Sequence, residues 1–116
     1  MIFEYEELKE CVKEDFERFY KMGFNENQIF LAVLNEYEHG EDFGFVESVC
    51  IHVFLILAYT EKNMNCNQLI DRLDQLMNEE EENELKVELG NEHSKFISDL
   101  SMVRNNYWGK DRGWLM

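Results

Sequence analysis

No proline occurs in the 116 residues, and no Asn-Gly or Asp-Gly pair is present to close a two-residue hairpin. A chain without helix breakers or tight-turn signals has few means of building a sheet, whereas apolar residues at helical spacing recur along it. The expected fold class is therefore all-α, a single-domain bundle of about five helices with a central apolar helix at roughly 43–62. Hydrophobic residues are 45% of the chain and aromatics 14%, enough for a packed core at this length.

The spacing predicts a first helix from about Glu4 to Met22, with Leu8, Val12, Phe16, Phe19 and Tyr20 as its buried stripe. Glu14 with Arg18, and Glu17 with Lys21, stand in the favourable i,i+4 order for ion pairs. Gly23 is placed to end the helix in a left-handed turn. Asn25 and Gln28 form a capping-box pattern for a second helix, which turns Ile29, Ala32, Val33 and Tyr37 inward and ends near His39-Gly40. A third helix is expected from about Asp42 to Lys62, apolar on nearly every face between Val49 and Tyr59. Its VFLILAY run also has the character of a buried strand, but no second run exists to pair with it. Asn65 and Gln68 repeat the capping pattern before a short helix carrying Leu69, Ile70, Leu73, Leu76 and Met77. A last helical stretch, Leu85 to Val103, holds Gly90-Asn91 as a candidate break. Residues 1–104 then form the helical domain. Residues 105–116 form an aromatic tail with Tyr107, Trp108 and Trp114, read either as docking on the helices or as an anchor for a partner.

Charge narrows the function. The formal net charge is −14, so binding to nucleic-acid phosphate is disfavoured and a basic protein is the natural counterpart. From Met22 to Glu61 forty residues contain no Lys or Arg but seven carboxylates. The longest apolar run, Val53 to Tyr59, is seven residues and too short to span a bilayer, so no membrane partner is expected. Met1–Lys9 carries three glutamates where a secretory signal needs positive charge. Cys11, Cys50 and Cys66 are odd in number and lack CxxC spacing, so they read as reduced thiols of a cytoplasmic protein, two of them in the core.

Catalytic signatures are missing from the sequence. His39, His52 and His93 have no His or Cys ligand partner at i,i+3 or i,i+4 spacing on one helix, and Cys50 and His52 point to different faces of a helix. His52 reads as a core histidine bonded to a carbonyl. No catalytic, cofactor or metal site is expected, and the chain is not read as an enzyme. The cluster Glu36, Tyr37, Glu38, His39, Glu41, Asp42 and Phe43 nevertheless stands out. Capping and dipole effects account for Glu41 and Asp42, but not for Glu36 and Glu38 at a helix C-terminus, where negative charge is unfavourable. The cluster suits a protein-binding patch, with Tyr37 and Phe43 as desolvated anchors.

The stretch FNENQIFLAVLNEYEHGEDFGFVESVCIHVFLILAYTEK, with the opening YEELKECVKEDFERFYKMG, resembles the small all-helical immunity proteins of bacterial polymorphic toxin systems. The likeness covers roughly Tyr5 to Leu100 and leaves out the Trp-containing tail. It implies a cytosolic protein that neutralises a cognate toxin domain, often a nuclease, by tight binding without turnover. The competing expectation is an acidic nucleic-acid mimic or regulatory adaptor that binds a basic protein.

Overall fold

Helical periodicity along the chain becomes six α-helices in the computed structural model, which describes residues 4–38, 44–76 and 82–107. They are α1 (Tyr5–Lys21), α2 (Glu26–Glu38), α3 (Phe45–Glu61), α4 (Asn67–Leu76), α5 (Glu82–Leu89) and α6 (His93–Tyr107). A 3₁₀ turn, Gly90–Glu92, separates the last two. Gly90 there takes a left-handed φ of 53°, so the expected break at Gly90-Asn91 divides the last stretch into α5 and α6. No strand is present among the described residues, and the chain is an all-α single-domain bundle.

The architecture centres on α3, which packs against α1, α2, α4, α5 and α6. Every residue from Val49 to Ile56 is buried, which explains why this helix has no polar face. The VFLILAY segment is therefore helical, because helices surround it on all sides. Around it, Val12 and Phe16 of α1, Ile29 and Val33 of α2, Leu69 and Leu73 of α4, and Phe96 and Leu100 of α6 close the core. Tyr5 also belongs to this core and meets Phe54 edge to face at 5.1 Å, whereas Tyr20, expected in the buried stripe, is exposed. Cys50 and Cys66 are buried, Cys11 is exposed, and all three are free thiols.

The turn after α1 follows from its residues. Gly23 has φ 87°; its N–H donates to the Tyr20 carbonyl at 3.0 Å, and that of Phe24 to the Phe19 carbonyl at 3.2 Å. This double bond pattern, with the Phe19 and Phe24 rings stacked at 5.3 Å, is a Schellman ending closed by its hydrophobic contact. The capping box of α2 also forms, with Gln28 N–H to Asn25 Oδ1 and Asn25 N–H to Gln28 Oε1 both at 2.9 Å. Its repeat at Asn65 and Gln68 does not close. Asn65 Oδ1 instead accepts the Asn67 N–H at 2.9 Å, and the Asn65 N–H donates to Glu26 Oε2 at 3.3 Å. The third helix starts at Phe45 rather than Asp42, with the Glu47 carboxylate accepting the Gly44 N–H at 3.1 Å.

Candidate functional site

Where the end of α2 crosses α1, four side chains form one polar network. Arg18 Nη2 lies 2.5 Å from Glu36 Oε1 and 3.4 Å from Asp15 Oδ1, and the Tyr37 hydroxyl donates to Asp15 Oδ2 at 3.0 Å. The Arg18 guanidinium also lies over the Phe19 ring at 4.7 Å. Partial desolvation and the nearby Asp15 carboxylate push the Glu36 carboxyl up, against the opposing pull of Arg18. Burial first, and then Asp15, raise the Tyr37 phenol, which therefore stays a hydrogen-bond donor.

This network accounts for Glu36 at a helix C-terminus: a cation from another helix offsets the unfavourable dipole. It also replaces the expected local pairs on α1. Arg18 turns to Asp15 and Glu36 rather than Glu14, and Glu17 pairs with Lys62 at 3.7 Å rather than Lys21. Of the residues singled out from sequence, Glu36 and Tyr37 are thus brought together on α1, with Glu36 exposed and Tyr37 half-buried. Glu38 closes α2, with its side chain outside the described set, and His39, Glu41, Asp42 and Phe43 lie outside the described residues. The Trp108–Trp114 tail does too, although residues 105–107, placed in the tail from sequence, are the last of α6. Asp15 was missed, and Arg18 was assigned to Glu14, because the partners on α2 that define this network leave no local pattern. These partners are 22 and 18 positions away in the chain.

A second network joins the first and last helices. The buried Tyr5 hydroxyl donates to Asp99 Oδ2 at 2.5 Å, and Lys9 Nζ lies 3.0 Å from the same oxygen. Asp99 is only 7% exposed, so these contacts replace the water it gives up. On α3, the fully buried His52 donates from Nδ1 to the Ser48 carbonyl at 2.6 Å, and its Nε2 faces the Arg72 Nε–H at 3.4 Å. Desolvation lowers its pKa, Arg72 adds to that, and the imidazole is neutral. The expected core histidine bonded to a carbonyl is what the fold contains.

Nucleophilic chemistry finds no support at the exposed cysteine. Desolvation and then the charges of Glu7, Glu14, Asp15 and Glu10 push the Cys11 thiol up, the opposite of thiolate activation. No group of three or more His, Cys, Asp or Glu side chains among the described residues is arranged to hold a metal ion. No described helix is long and apolar enough to cross a membrane. No protein-family model, curated protein or solved structure matches the chain.

Proposed function

We propose that this chain is a cytoplasmic immunity protein that neutralises a cognate bacterial toxin by direct contact with a basic surface, without turnover. The observation that carries the reading is the uncompensated charge of −14 on a bundle whose core is one continuous apolar cluster. A rigid acidic body attracts a basic partner over distance and loses little order on docking. The corner after α2 is the proposed contact. Glu38, Glu41 and Asp42 supply the field, Phe43 supplies an apolar anchor, and Glu36 stays tied to Arg18.

The decisive experiment pairs this chain with the toxin-like product of the neighbouring gene. Co-expression should restore growth, and the purified pair should associate with a rate that falls steeply as salt is raised. The double variant Glu38→Ala/Asp42→Ala should slow association by about tenfold or more and weaken protection. Growth arrest despite co-expression, or an association rate indifferent to salt, removes the proposal.

A further inference from the structure

The surface between α1, α3 and α6 opens into a cavity of about 220 Å³. An apolar cavity of about 150 Å³ accepts benzene, so this one has room for one apolar side-chain-sized body. Phe54, Leu57 and Ala58 line it from α3, and Met102 of α6, 52% exposed, lines it from the other side. An exposed methionine beside an apolar floor is an adaptable contact for a ligand.

Four charged residues also line the cavity: Lys9, Lys13, Glu61 and Asp99. Lys9 and Asp99 are already committed to each other and to Tyr5. That leaves Lys13 on α1 and Glu61 at the end of α3, both exposed and neither in an ion pair among the described residues. Lys13 stands one turn after Lys9, and although Glu10 and Glu17 are at helical spacing from it, it forms no ion pair with either among the described residues. A simple anion would meet Glu61 and the net charge of −14. A simple cation would meet two lysines. A small molecule carrying both charges and an apolar body meets neither objection.

We propose that this cavity binds an apolar amino acid as its zwitterion, with the carboxylate on Lys13, the ammonium on Glu61 and the side chain over Phe54, Leu57 and Ala58. The site shares no residue with the toxin-facing corner and stands or falls separately from it. The test is a titration of the full chain followed by amide NMR, with L-phenylalanine, 3-phenylpropionate and phenethylamine as probes. L-phenylalanine should give saturable shifts at Lys13, Leu57 and Met102, and each singly charged analogue should bind about two- to fivefold more weakly. Lys13→Met should erase the preference over phenethylamine, and Glu61→Gln the preference over 3-phenylpropionate. Both changes are on exposed side chains, so the fold should survive, and Met102→Trp should block all three probes by filling the opening. No saturable shift around the cavity, equal binding of the three probes, or preferences unaffected by the two charge variants would overturn the assignment.

Discussion

His52 has no exposed surface and makes its hydrogen bonds as a neutral ring. Its folded pKa lies below the ordinary 6.5, so on acidification the unfolded chain takes up a proton before the folded one does. Stability is therefore undiminished above about 6.5 and falls as pH drops from there toward the folded value, by at most about 1.4 kcal/mol per pH unit. His52→Gln should flatten the difference in unfolding free energy between about pH 7 and pH 5.5, measured by denaturant titration. An unchanged slope would show that another group titrates. Tyr5 offers a second single-residue test. Tyr5→Phe keeps the edge contact with Phe54 but removes the donor to a buried carboxylate, and should cost about 1.5–3 kcal/mol by the same measurement. A loss below 0.5 kcal/mol, to order of magnitude, would mean that water or Lys9 takes over the bond.

At the level of the helix, a shared pattern had two outcomes. Asn25–Gln28 closes into a reciprocal box, but Asn65–Gln68 does not, although the residue types and spacing are the same. The difference comes from Glu26, the first residue of α2. Its carbonyl accepts the Tyr59 hydroxyl at 2.6 Å and its carboxylate accepts the Asn65 N–H, a donor that a second box would have required. Local signals thus located the starts of α2 and α4 to within a residue or two, while tertiary contacts chose the capping bonds. The ending of α1 was wholly local. Gly23→Ala meets no atom within 4 Å, so its penalty is one of backbone conformation alone, about 1–2 kcal/mol. A lowered denaturation midpoint with an unchanged denaturant slope would bear this out; no shift would mean that the turn relaxes out of the left-handed region.

Across the whole molecule, a charge of −14 works against the compact state. Raising sodium chloride from about 0.02 to 0.5 M should therefore raise the thermal midpoint by several degrees, since screening relieves repulsion over distances beyond a few ångströms. A midpoint that falls with salt would show that ion pairs such as Arg18–Glu36 outweigh the net repulsion. The forty residues without a basic side chain illustrate how the two levels meet. In sequence the stretch is uniformly acidic, but in space Arg18 of α1 pairs with Glu36 and Arg72 of α4 lies 5.0 Å over the Phe30 ring. Part of the expected acidic patch is thereby neutralised from outside the stretch.

What the sequence determined by itself is the helical class, about five helical stretches of which the last carries a break at Gly90, the burial of α3 and the role of His52. These depend on interactions within a few positions or on burial, and both leave a periodic trace in the chain. Only the tertiary structure decided which charges meet. The Asp15–Tyr37, Arg18–Glu36 and Tyr5–Asp99 contacts join residues 22, 18 and 94 positions apart. Polar side chains such as these carry no periodicity of their own, and their partners are set by how the helices cross.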